Sequence, residues 1–247
     1  MRGRLRLLGF ALAQALVCAV RGGVVRDLQK ADESTTLCNL LENTLSFDCD
    51  GACDPFQPCL ALTDAVTSTS TNTTMGSSCK YECFHMDESS PQKYTNFVFR
   101  IQFDAAEAPI QLNNSATYPS TSNDRVQRID TLKVPVTTTS ILIQGGRTNP
   151  SAIAKGRVAE VQLASDLLTN PTKVTKVVFS NLNFTTQVQN LSRILPMNMQ
   201  TLQLDNTLLT AFPPGLSRFT KLKLLNLTRN SLTKADASDI LGTISTL

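Results

Sequence analysis

The chain of 247 residues has no tryptophan, three tyrosines and a single histidine. Each shortage excludes something. Few large amphipathic rings leave few platforms on which a sugar could stack. One histidine, His85, cannot build a catalytic triad or a histidine-based metal centre. The HExxH, GxSxG and dinucleotide-binding patterns are missing, and Gln144-Gly145-Gly146-Arg147 lacks the GK[ST] ending of a phosphate loop, so it reads as a turn. Asp and Glu are scattered, with no spacing that singles out a catalytic pair. No enzyme activity, metal or cofactor is therefore expected of this chain. No apolar run reaches the roughly 20 residues that a membrane span needs.

What is present begins with a leader. Arg2, Arg4 and Arg6 precede an apolar stretch from Leu7 to Ala19, which ends in the small-residue triplet Val17-Cys18-Ala19. That order predicts a secretory signal peptide over residues 1–19. Removing its three arginines leaves Lys and Arg equal in number to Asp and Glu. A formally neutral mature chain gives no electrostatic case for nucleic acid or for an anionic membrane.

Cys18 falls in the leader, which leaves Cys38, Cys49, Cys53, Cys59, Cys79 and Cys83. An even number of closely spaced cysteines behind a leader predicts a disulfide framework in a module spanning 20–90, with the connectivity open. Cys79-x3-Cys83-x-His85 is the rival zinc reading, but paired CxxC spacing is missing and an oxidising compartment favours disulfides. Five N-x-[S/T] sequons, at Asn72, Asn113, Asn183, Asn190 and Asn226, point to a secreted glycoprotein. The Ser/Thr-dominated stretch from Thr63 to Ser78 reads as an exposed loop, and the polar stretch from Asn113 to Asp124 as another.

The most specific signal lies near the C-terminus. VTKVVFSNLNF from Val174, MQTLQLDNTLL from Met199 and LKLLNLTRNSL from Leu222 each fit L-x-x-L-x-L-x-x-N-x-L, starting 25 and then 23 residues apart. Leu191-Ser192-Arg193-Ile194 and Leu216-Ser217-Arg218-Phe219 each begin 17 residues after their repeat start, which confirms the register. In each copy the last three residues of L-x-x-L-x-L form a short strand with alternating faces. Val177 and Phe179, Leu202 and Leu204, and Leu225 and Leu227 should point inward. Three outward rows follow: Lys176, Thr201, Leu224; Val178, Gln203, Asn226; and Ser180, Asp205, Thr228. Pro213-Pro214-Gly215 suits the turn that returns the chain. The asparagine that ties neighbouring turns stands only at Asn230, with Thr207 and Leu182 at the other two positions. Irregular turns are therefore expected before Met199.

Fold class follows: an α/β-type solenoid of leucine-rich repeats with a parallel sheet on its concave face, preceded by the disulfide-rich module. Residues 91–173 are expected to hold capping strands and degenerate repeats. Phe97, Phe99, Ile101 and Phe103 alternate in a strand that could cover the first turn. Ile129-x-x-Leu132-x-Val134 and Val158-x-x-Val161-x-Leu163 have the apolar spacing of weak repeats, although 16 residues from Val158 to Val174 are too few for a standard one. The repeats proper run over 174–247, incomplete at their end. Ala237 to Leu247 could form a short amphipathic helix through Ile240, Leu241, Ile244 and Leu247.

Leader, cysteine segment ending CKYECF at Cys79 to Phe84, Thr/Ser-rich region and repeats occur in an order that resembles secreted or receptor-like leucine-rich-repeat proteins. The order is especially similar to the ectodomains of oomycete leucine-rich-repeat kinases of the tyrosine-kinase-like group. That resemblance implies an extracellular receptor-type module for a peptide, protein or glycan, with a membrane span and kinase domain beyond this chain. A free secreted interaction protein, such as a hydrolase inhibitor or a cell-wall component, is the alternative. A third reading makes the chain the N-terminal fragment of a receptor-like kinase. HRD and DFG do not occur, so no residue here carries a phosphotransfer role. The candidate ligand contacts are Lys176, Gln203, Asp205 and Thr228, and a glycan on Asn226 would mask the same face.

Overall fold

A computed structural model of the chain describes residues 42–54, 57–62, 80–84, 95–103, 115–119, 126–168 and 173–233. The expected leader, Cys38, Cys79, His85, Asn72, Asn113, the stretch 63–78 and the C-terminal helix lie outside them. The described residues form eleven short strands: β1 (Thr44–Ser46), β2 (Cys59–Leu62), β3 (Lys80–Cys83), β4 (Asn96–Ile101), β5 (Ser115–Pro119), β6 (Arg128–Ile129), β7 (Ser140–Gly145), β8 (Gln162–Leu163), β9 (Lys176–Ser180), β10 (Thr201–Asp205) and β11 (Leu224–Asn226). Their helical segments are few and short, chiefly a 3-10 turn at Val188–Asn190 running into α1 (Leu191–Ile194) and another at Leu216–Arg218.

Two sheets share one apolar core. Six strands pair in the order β11-β10-β9-β7-β4-β5, all parallel. The other five pair in the order β3-β2-β1-β6-β8, with β1, β6 and β8 parallel and the β2–β3 hairpin antiparallel. The inward residues Phe97, Phe99, Ile141, Ile143, Val177, Phe179, Leu202, Leu204 and Leu225 from the first sheet are buried in one cluster with Leu45, Leu60 and Ile129 from the second. Alternation along each strand puts these side chains on one face, and burying each contributes about 1.5–3 kcal/mol. Phe179 meets Phe184 edge to face at 5.0 Å, and Phe84 meets Phe99 at 5.6 Å.

The three-copy repeat has the expected register. Leu202 pairs with Val177 and Leu225, and Gln203 with Val178 and Asn226. Upstream the structure corrects several expectations. Ile129 and Leu163 do lie on strands, but these are β6 and β8 of the five-stranded sheet, paired to each other. They are not repeat strands of the six-stranded sheet. This explains the short spacing to Val174, because β8 precedes β9 on the opposite side of the same core. The six-stranded sheet is continued instead by Ser140-Ile141-Leu142-Ile143-Gln144-Gly145, so Gln144 and Gly145, expected in a turn, end a strand, and the chain bends only from Gly146. Strand β4 is an internal strand, flanked by β5 and β7, and not a cap. Polar Asn113–Asp124 contains the strand β5. An edge strand needs hydrogen bonds on one side only, so it tolerates that composition and Pro119.

Two glycines are required where β7 ends and the chain bends away. A Cβ on Gly145 would stand 2.1 Å from the Asn181 carbonyl oxygen. Gly146 has φ +80° and lies against Phe103 and Ile153.

Two of the expected disulfides are described, Cys49–Cys59 and Cys53–Cys83. They tie the segment after β1 to both strands of the hairpin, in which Cys59 and Cys83 are register partners. Cys83 is therefore no thiolate donor for a zinc site with His85. The sulfurs of Cys49, Cys53 and Cys59 lie within 4.8 Å of one another, yet all three are already bonded in disulfides. Among the described residues, no helix is long and apolar enough to cross a membrane.

Candidate functional site

The outward face of the six-stranded sheet carries the only site that the repeat register specifies. Because its strands are parallel and in register, every second residue stacks into rows across them. One row runs Asn96, Ser140, Lys176, Thr201, Leu224, and the next runs Val98, Leu142, Val178, Gln203, Asn226. A third contains Arg100, Gln144, Ser180 and Asp205. Members of these rows, among them Asn96, Val98, Leu142, Lys176, Gln203 and Asp205, line a groove of about 390 Å³ that draws residues from β4, β7, β9, β10 and β11, whereas Arg100 and Gln144 are buried. All four candidate contacts, Lys176, Gln203, Asp205 and Thr228, line it.

The four are not equivalent. Asp205 is held from several directions. Arg229 Nε donates to its Oδ1 at 2.8 Å and Arg229 Nη2 to its Oδ2 at 2.5 Å. The Thr228 hydroxyl donates at 2.9 Å and that of Ser180 at 3.2 Å. Burial raises the Asp205 pKa, but Arg229, Thr228 and Ser180 outweigh it and hold the carboxyl below its ordinary value. Asp205 is thus a neutralised, structural charge, and Thr228 spends its proton on it. Lys176 is exposed, and neither it nor Gln203 makes a side-chain hydrogen bond or ion pair among the described residues.

Arg229, which sequence reading missed, is the hub at this edge. Its guanidinium also donates to the carbonyl oxygens of Ile153 (2.7 Å) and Pro150 (2.8 Å) and to Asn181 Oδ1 (3.2 Å). Its backbone is left-handed at φ +55°, as are Asn181 (φ +56°) and Asn206 (φ +52°) at the matching positions after β9 and β10. Asparagine tolerates this conformation best among residues with a side chain.

These residues repair the incomplete amide ladder. Asn181 and Asn206, fully buried, stand one residue before Leu182 and Thr207. Asn206 Nδ2 donates to Asn181 Oδ1 at 2.8 Å, and its Oδ1 accepts from the Gly156 amide at 2.7 Å. Asn181 Nδ2 in turn reaches the Gly145 carbonyl at 3.3 Å. Asn230 performs the anticipated tie: its Oδ1 accepts from the amides of Thr207 and Leu209, and its Nδ2 donates to the Leu204 carbonyl. The 25-residue spacing from Asn181 to Asn206 was a visible clue to this second ladder.

Among the sequons, Asn183 has its Nδ2 against both oxygens of Glu160 (3.0 and 2.9 Å), whereas Asn190 is exposed. Asn226 lines the groove, with Oδ1 accepting from the Thr228 amide at 2.9 Å. Its Nδ2, the atom that would carry a glycan, donates to no described residue. A second, more apolar hollow of about 440 Å³ adjoins it beside β11, lined by Phe212, Leu224, Leu227 and Leu232 among others. Comparison of the chain with protein-family models, curated proteins and solved structures finds no match.

Proposed function

We propose that this chain is an extracellular leucine-rich-repeat interaction module of the receptor-ectodomain type, whose parallel sheet presents the binding face. One observation carries the reading: five parallel strands, in register, deliver outward side chains to one groove. Such a face suits contact along an extended partner better than enclosure of a small molecule. The 25- and 23-residue steps of the motif, with its buried apolar positions, support a leucine-rich-repeat solenoid as the architecture. Disulfides Cys49–Cys59 and Cys53–Cys83, the leader and the sequons support an oxidising, extracellular compartment.

The test is a selection of random twelve-residue displayed peptides on the full chain secreted from eukaryotic cells. It is run in parallel on Asn226→Gln, so that a glycan at that position cannot hide the groove. Selected peptides should compete with one another and lose affinity on Gln203→Trp, which crowds the groove without adding charge. They should keep it on Lys133→Glu, an exposed residue that does not line it. Peptides indifferent to Gln203→Trp would overturn the reading.

A further inference from the structure

Resting on that reading of the face, we propose that its ligand is an extended polypeptide segment with an acidic side chain beside an apolar one. Only Lys176 and Asp205 carry charge among the groove-lining residues, and Arg229 cancels Asp205 through two hydrogen bonds. The ammonium of Lys176 remains, exposed and without an ion pair among the described residues. A groove whose carboxylate is internally satisfied and whose cation is not attracts an anion.

Hydrogen-bonding capacity points the same way. Besides Lys176, the side-chain N–H groups of Gln203 and Asn226 have no described acceptor, so the groove offers open donors. These match the carbonyl and carboxylate oxygens of a peptide. Shape and polarity add an apolar contact. Val98, Leu142 and Val178 form an apolar strip across three neighbouring strands, next to the row that holds Lys176. Strands stand about 4.8 Å apart, so the strip is roughly 10 Å long and takes about three residues of extended chain. Lys176 sits two residues before Val178 on one strand, roughly 7 Å away, so the acid belongs next to the apolar side chain or one residue further on. No aromatic ring lines this groove, which leaves a glycan without a stacking surface.

The experiment uses the same displayed twelve-residue peptides, read by sequence. On the native chain they should be enriched in Asp or Glu within two positions of Leu, Ile or Val. Synthetic copies should lose about tenfold in affinity on Lys176→Gln, the equivalent of one charge-assisted contact. Selection on Lys176→Glu should enrich Lys and Arg instead. Since Lys176 is exposed, both variants should keep the native melting temperature, and that measurement guards the comparison. Peptides that need the groove, as judged by Gln203→Trp, but show no acidic enrichment and ignore Lys176→Gln would overturn this inference while the binding face stands. Peptides that ignore Gln203→Trp would overturn both. Groove-dependent capture of glycans from an array, without peptide binding, would also overturn the polypeptide assignment.

Discussion

Between β9 and β11 the six-stranded sheet advances one strand every 25 and then 23 residues, as Val177, Leu202 and Leu225 mark in register. Between β4 and β9 the same advance takes 44 residues from Phe97 to Ile141 and 36 from Ile141 to Val177. The difference lies in how the chain returns. In the short steps, α1 and the helical turn at Leu216–Arg218 carry it back. In the long steps, β6 and β8 carry it through a second sheet, whose strands must pair with each other, and the first long step also lays down the edge strand β5. Periodicity is visible only where the return is brief and uniform, so one kind of sheet is built from two kinds of sequence.

The largest loss of stability is expected at the core of the short-step region. Phe179→Ala, which removes a fully buried ring packed on Phe184, should cost about 3–5 kcal/mol in denaturant unfolding. A much smaller loss would mean that the repeat region is loosely packed. Next comes the long-step side: replacing Cys53 and Cys83 together by Ser opens a 30-residue loop and should cost about 3–4 kcal/mol. Hydrogen exchange should then show the β2–β3 hairpin losing protection before β9, β10 and β11. Uniform loss would show that the two regions fold as one unit. At their seam, Gly145→Ala forces a methyl group against the Asn181 carbonyl and should cost about 2–3 kcal/mol.

Arg229 ties the strand end of the short steps to the segment 150–153. Arg229→Ala loses those bonds and keeps a strained left-handed residue, for an expected cost of about 2 kcal/mol. Arg229→Gly loses the same bonds but relieves the backbone, and should be the more stable of the two by about 1 kcal/mol. The smallest effect is in pH. The depressed folded pKa of Asp205 stabilises the fold fully above the unfolded value of about 3.9, and that contribution disappears as pH falls through the folded value. Acid titration of Asp205→Asn should therefore show a shallower loss of stability below about pH 4 than the native chain.

Legibility followed the same division. Rows on β9, β10 and β11 could be read residue by residue, because a parallel sheet turns a constant spacing into lateral neighbours. The four candidate contacts all reached the groove, yet their chemistry did not follow from position. Asp205 looked like a contact until Arg229 was seen to satisfy it. Strand β7 escaped notice because Ile141, Leu142 and Ile143 form a brief apolar run without clear alternation, which fits several structures. Ile129 and Leu163 had the right spacing for a strand, but spacing does not say which of two sheets a strand joins.

Local alternation and a repeat of fixed length made the register of the last three strands, their inward and outward faces and the groove residues on them readable from the chain. Long-range closure of the chain is what puts β6 and β8 in a second sheet, extends the amide ladder through Asn181 and Asn206, and lets Arg229 remove Asp205 from the available charges. Arg229 reaches Pro150 and Ile153 across 79 and 76 residues of chain. Partners at such separations are set by how the chain closes on itself, and no local pattern encodes them.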